Sequence, residues 1–143
     1  MSGPDLGKLE FSHSPFMRFL GLEIMRAEKG LVEIRLPYRE EFLRSDGSDW
    51  LHGGVVSALA DIAGDYAVIT ETAPGVPTID MRVDYLRPAR RGDLTALGKT
   101  VRVGRTVSVA DVEIRDSTGT LVAIGRAGYA SPRPPTAGTE SNA

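Results

Sequence analysis

His52, Gly53 and Gly54 open an apolar run, "WLHGGVVSALADIAGDYAV" (Trp50 to Val68), whose only acidic side chains are Asp61 and Asp65. A run of this length and apolarity reads as a buried helix from about Gly54 to Thr70. The first amides of a helix lack internal partners and point outward. The positive end of the helix dipole lies there too, and glycine lets a ligand oxygen come close to the backbone. His52-Gly53-Gly54 is therefore suited to hold a carbonyl oxygen that gains negative charge. Ser57, Asp61 and Asp65 follow at four-residue spacing and so share a helix face. A carboxylate among Ala60, Ile62 and Ala63 is poorly solvated unless it meets a cleft or an interface, which suits a base or a nucleophile. Asp65, one turn on, is the alternative to Asp61 for that role. Asp61 lies about 12 Å from the helix start at 1.5 Å per residue. That is too far to serve the same carbonyl from the same helix. A second subunit with its helix antiparallel closes the gap, so the spacing predicts sites shared between subunits.

The elements that must position these groups follow from the rest of the chain. Ser14, Pro15 and Gly21 mark the cap, first position and end of a short helix over "HSPFMRFLG". "GLEIMRA" and "LVEIRLP" read as two strands of a hairpin joined through "EKG", the second alternating Val32, Ile34 and Leu36 with Glu33 and Arg35. After the long helix, "TIDMRVDYLR" alternates again. Ile79, Met81, Val83 and Tyr85 form one face, and Asp80, Arg82 and Asp84 form a solvent face. "DLTALGKTVRVG", "TVSVADVEIRD" and "TLVAIGRAGYA" complete four strands after the helix. A turn at "DSTG" places Gly119 for positive φ. Val55, Leu59, Ile62, Tyr66 and Ile69 make the helix stripe expected to face the sheet. The fold class is α+β, a curved antiparallel sheet wrapped around one long central helix. A second subunit is the expected cover for the helix's other side.

The 143 residues suit one domain, with residues 14–130 as the folded part, 1–13 as a flexible N-terminal arm and 131–143 as a disordered tail rich in Pro, Gly, Ser and Thr. The net charge of −2 argues against a nucleic-acid partner. The absence of cysteine excludes thiolate nucleophiles, and the presence of only two histidines, His13 and His52, excludes a multi-histidine metal site. No run is uniform enough to span a bilayer and no secretory signal is evident, so a cytoplasmic protein without membrane association is expected.

The spacing from His-Gly-Gly to Asp61, together with "FMRFLGLEI", "DMRVDYLRPARRGD", "GRTVSVADVEIRD" and "LVAIGRAGY", resembles the hotdog-fold acyl-CoA thioesterases, in particular the phenylacetate-pathway (PaaI-type) family. The likeness runs from about Phe16 to Ala130. It implies the hotdog fold and hydrolysis of an acyl-CoA thioester, aryl-acetyl or medium-chain, to free coenzyme A and a carboxylic acid. It implies Asp61 as nucleophile or general base on water, and Gly53 as the residue whose N–H polarises the carbonyl. His52 would orient the motif, and Thr78 would orient the carboxylate or the water. Asp46 stands six residues before His52, where such enzymes often carry Asn. An ionised Asp cannot donate the hydrogen bond that an amide donates. Asp46 is therefore protonated or plays another part, or Ser48 or Asp49 takes that site. Gly54 and, among "LRPARR" and "VRVGRT", Arg87, Arg91 and Arg105 (with Arg90 and Arg102 beside them) are candidates for binding coenzyme A, whose phosphates suit arginine. Coenzyme A belongs to the substrate, and no separate cofactor or metal is expected. The implied assembly is a homodimer, and a homotetramer as a dimer of dimers. A non-catalytic acyl-CoA sensor and a hotdog dehydratase or hydratase are the alternatives. The helix-start position of His52 fits carbonyl polarisation better than the latter.

Overall fold

The computed structural model describes residues 5–131. The short helix is α1 (Pro15–Leu20). It is capped by Ser14, whose side chain accepts from the Met17 N–H, and it ends at Gly21 with φ 71°. The hairpin strands are β1 (Glu23–Glu28) and β2 (Leu31–Leu36), and the long helix is α2 (Gly53–Ile69). Four strands follow: β3 (Thr78–Tyr85), β4 (Leu94–Arg102), β5 (Val107–Arg115) and β6 (Leu121–Ala130). They form one antiparallel sheet in the order β1-β2-β4-β5-β6-β3, with α2 packed against five of the six strands. The order differs from the sequence order because the chain leaves the sheet after β2, runs through α2, and returns at the far edge as β3.

The helix lies close to the sheet because small residues meet at the crossing. A Cβ on Gly98 of β4 would collide with the Ala63 carbonyl, and one on Gly64 would collide with the Tyr129 hydroxyl of β6. Gly125 of β6 faces Ala60. This differs from the expected stripe. Tyr66 turns toward the N-terminal segment, while Ala60, Ala63 and Gly64 make the close contact with the sheet. Bulky side chains at those three positions would push the layers apart; small ones let backbone and β-carbons interlock.

The other side of α2 is partly covered from within the chain. Of the expected N-terminal arm, residues 1–13, the part from Leu9 to Phe11 lies beside it. Phe11 is buried, with its ring centroid 4.7 Å from that of Tyr66, and the Tyr66 hydroxyl donates to the Glu10 carbonyl at 2.7 Å. The expected tail falls outside the described residues except for Ser131, whose hydroxyl is 2.8 Å from that of Ser108.

β3 is an edge strand and carries an irregularity between Thr78 and Asp80. Strict alternation puts Ile79, Met81, Val83 and Tyr85 on the helix side. The extra residue in the bulge, Ile79, breaks that alternation and is 56% exposed. It thereby turns Thr78 toward α2.

The close crossing yields a direct test. Gly98→Ala should lower stability by about 1–3 kcal/mol, the usual cost of overpacking a filled core. Urea unfolding measures it, and an unchanged midpoint would show that the layers have slack.

Candidate functional site

His52 is the N-cap of α2. Its backbone is extended, with φ −67° and ψ 135°, and its Nδ1 accepts from the Gly54 N–H at 2.9 Å. The imidazole therefore satisfies one orphan amide of the helix start. This has a consequence for the two glycines. The Gly54 N–H is taken by the cap, whereas the Gly53 N–H has no hydrogen-bond partner among the described residues. Gly53 thus carries the unpaired amide of the helix start among the described residues, in the positive field of the helix dipole.

Around Gly53 lies a groove of about 360 Å³, lined also by Arg44, Val56, Tyr85, Leu86 and Arg87. The Tyr85 hydroxyl donates to the Gly53 carbonyl at 2.9 Å and also meets the Ser57 hydroxyl. Tyr85 is the last residue of β3, so this bond ties the end of the edge strand to the start of the helix. Arg87 donates to the Leu121 carbonyl at 2.9 Å.

Asp61 lies two turns further along. Its Oδ1 accepts from the Thr78 hydroxyl at 2.7 Å. Its backbone carbonyl accepts from the Tyr129 hydroxyl at 2.8 Å. Burial, together with the carboxylates of Asp61 and Asp65, raises the Tyr129 phenol well above its ordinary range, so it stays a neutral donor. Gly64 makes the room Tyr129 needs. One helical turn, then, is held from both sides: by Thr78 on the carboxylate and by Tyr129 on the backbone.

Asp65 has a different environment. It is half-buried, and its Oδ1 is fully enclosed with no hydrogen-bond partner among the described residues. Burial, and next the negative charge of Asp61, push its carboxyl up to about 7. It lines a groove of about 530 Å³ with Leu9, Met17, Ile69, Val76 and Pro77. The shared face of Ser57, Asp61 and Asp65 is present, but it serves three places: Ser57 the helix start, Asp61 the strand bulge and Asp65 this groove.

The remaining sequence candidates scatter. Asp46 is exposed in the turn at Ser45–Ser48 and makes no side-chain hydrogen bond among the described residues. Arg91 is engaged by the Tyr38 hydroxyl at 2.8 Å and by Glu40 at 3.7 Å. Arg90 sits over the Trp50 ring at 5.6 Å. Arg105 is exposed in the β4–β5 turn, at the end of the sheet where β3 begins, whereas Arg87 follows the end of β3. One subunit therefore does not bring Arg87 and Arg105 together. Nor does it bring Gly53 and Asp61 together, since both lie on α2 and their separation is about 12 Å by the helix rise. Tyr85, Arg44 and Tyr129 join the site without having been singled out. Only Tyr85 had a sequence signal, its place on the inward face of β3.

Comparison with known proteins bears on this geometry. A family model, the thioesterase superfamily, matches residues 50–123, the stretch that holds α2, β3, β4 and β5. The medium/long-chain acyl-CoA thioesterase YigI of Salmonella typhimurium is 31% identical over 139 residues, covering 87% of this chain and 90% of that protein. The crystal structure of a thioesterase family protein from Silicibacter pomeroyi is 28% identical with a TM-score of 0.79, covering 87% of this chain and 93% of that one. The PaaI protein of Escherichia coli, 24% identical with a TM-score of 0.75 over 85% of this chain and 86% of that one, shares the fold. This chain belongs to the thioesterase superfamily: it has the hotdog fold and is a thioester hydrolase.

Proposed function

We propose that this thioesterase-superfamily member hydrolyses acyl-CoA with Asp61 as the reacting carboxylate. The observation that carries the reading is the Thr78–Asp61 hydrogen bond, 2.7 Å long, on a carboxylate held at the margin of a buried helix. Thr78 leaves the second oxygen of Asp61 free to face a substrate. Asp61 either attacks the thioester carbon or takes a proton from a water that attacks it. In both routes the carbonyl oxygen gains negative charge, which a helix-start N–H such as that of Gly53 stabilises. The C–S bond then breaks. Coenzyme A takes up a proton and leaves as the thiol. If Asp61 attacks, the acyl group is left on it as a mixed anhydride that a water then hydrolyses, restoring Asp61 and releasing the carboxylic acid; if Asp61 acts as base, the water oxygen bonds to the acyl carbon as the C–S bond breaks and ends in the acid.

The two halves of this chemistry lie at opposite ends of β3: Thr78 with Asp61 at its start, Tyr85 with Gly53 at its end. β3 is also the sheet edge, with unpaired backbone groups and exposed Ile79, Met81 and Tyr85. Antiparallel pairing of two β3 strands about a two-fold axis sets the start of one beside the end of the other. Asp61 of one subunit then meets the helix start of its partner. Arg82, between Asp80 and Asp84 on the outer face, gives the edge mixed charge that suits self-pairing. Arg87 and Arg44 line the same groove as Gly53, which supports them as partners for the phosphates of coenzyme A. The named activity of the YigI relative, a medium/long-chain acyl-CoA thioesterase, favours medium- or long-chain acyl groups as the substrate class. The aryl-acetyl reading has only the PaaI-type resemblance behind it.

Asp61→Asn should leave the fold intact and lower free-thiol release from acyl-CoA by about a thousandfold or more, as expected when the reacting group is removed. Release near the wild-type rate would exclude Asp61 from the chemistry. Met81→Lys, which puts a charge into the paired edge, should turn the dimer into monomers in sedimentation and remove thiol release with it. A fully active monomer would refute the shared site.

A further inference from the structure

The groove of about 530 Å³ beside Asp65 touches the carboxylate face of α2. It begins where the proposed chemistry ends. Pro77 lines it and is the neighbour of Thr78, and Asp65 is one turn beyond Asp61. From there it runs under the N-terminal segment along Leu9, Met17, Ile69 and Val76, an apolar path. A thioester whose carbonyl sits at Asp61 has this groove as the continuation for its acyl chain.

Lys8, Glu10 and His13 add polar groups on the groove's N-terminal wall, but the lining atom that is enclosed without a partner among the described residues is the Oδ1 of Asp65. The groups facing Asp65 leave it without a counter-charge. From its own helix come Asp61 and Tyr66, and the Tyr66 hydroxyl is committed to the Glu10 carbonyl. From β6 comes the Tyr129 hydroxyl, committed to the Asp61 carbonyl. From the N-terminal segment come Glu10, His13 and Lys8, of which Lys8 is exposed and paired with Asp5 at 3.4 Å. The loop at residues 74–77 brings no charge. No cation stands within salt-bridge distance of Asp65 among the described residues.

We propose that this groove seats the apolar tail of the acyl group, and that Asp65 is its specificity-determining residue, admitting the tail in its uncharged form. The proposal rests on the reading of Asp61 as the reacting carboxylate, which fixes where the tail begins. The physics is linkage. A hydrocarbon laid over Asp65 removes its remaining water, which penalises the carboxylate far more than the neutral acid. The tail therefore binds the protonated form better, and tail binding and proton binding strengthen each other equally. Asp65 has a carboxyl that titrates near 7 before any ligand arrives. As pH rises through that value the groove acquires a charge and long tails are expelled. A short acyl group that does not reach past Asp61 is indifferent to the change.

The test uses S-octyl-CoA and S-methyl-CoA, thioethers without the carbonyl, so binding is read without turnover. Calorimetry on the wild-type protein should show S-octyl-CoA binding weakening about tenfold from pH 6 to pH 8, as one proton titrating near 7 requires. S-methyl-CoA binding should change by the same small factor as coenzyme A alone. Asp65→Asn, which keeps shape and removes the titration, should abolish the extra slope for the octyl compound. Leu9→Trp, which fills the groove, should weaken the octyl compound selectively. Equal slopes for octyl and methyl in the wild type, or an octyl slope that persists in Asp65→Asn, would overturn the proposal. Failure of the protein to release thiol from any acyl-CoA would refute Asp61 as the reacting carboxylate; the tail groove would still be upheld by an octyl slope lost in Asp65→Asn and overturned by one that persists.

Discussion

The close contact between α2 and the sheet is the constraint on which the site depends. Ala63 against Gly98 and Gly64 against Tyr129 bring helix and sheet so near that neither glycine can take a larger residue without something moving, and Ala60 packs on Gly125 beside them. With those positions occupied by small residues, the polar members of the helix can only lie at its flank. Asp61 and Asp65 are therefore half-buried at the border between the sheet edge and the N-terminal segment, neither in the core nor in open solvent. The same closeness lets the Tyr129 hydroxyl reach the Asp61 carbonyl at 2.8 Å, which fixes the turn that carries the carboxylate.

Two local irregularities then divide the labour. The bulge at Ile79 redirects Thr78 onto Asp61, which a regular strand would have turned away from the helix. The His52 cap takes the Gly54 amide and leaves that of Gly53 open. Neither feature adds to the core; each spends a backbone position to aim one group. Asp61 and Asp65, one turn apart on one helix, differ for the same reason. Asp61 receives a hydroxyl donor, whereas Asp65 is enclosed without one and holds a proton to about pH 7. On the proposed reading, one carboxylate does the chemistry and its neighbour guards the tail.

Much of this was legible in the sequence. Period-two alternation marked β2 and β3, the Ser14-Pro15 and Gly21 signals bounded α1, and the His-Gly-Gly start placed α2 to within a residue, because each rests on local backbone physics. The stripe Val55–Ile69 was read too simply. α2 is buried on nearly all sides, and periodicity does not tell which buried face meets the sheet; small residues do. Alternation placed Ile79 inward, but a bulge has no mark in a single sequence, so the turning of Thr78 toward Asp61 was reachable only through family resemblance. Tyr129 and the docking of Phe11 on Tyr66 are long-range contacts that no local pattern announces. Asp46, Arg91 and Arg105 illustrate the limit from the other side. Residue type suggested them for the site, yet position in the fold scatters them within one subunit.

On the proposed mechanism, Asp61 of one subunit works with the Gly53 amide of its partner. Gly53→Pro probes that amide, since proline is favoured at the first helical position and puts a ring carbon in place of the N–H. Mixed after co-refolding with Asp61→Asn, two inactive proteins should recover about a quarter of wild-type thiol release. Half of a random mixture of dimers is mixed, and each mixed dimer owns one intact site. No recovery, with mixed dimers demonstrated by mass spectrometry, would place both groups in the same subunit's site and contradict the account.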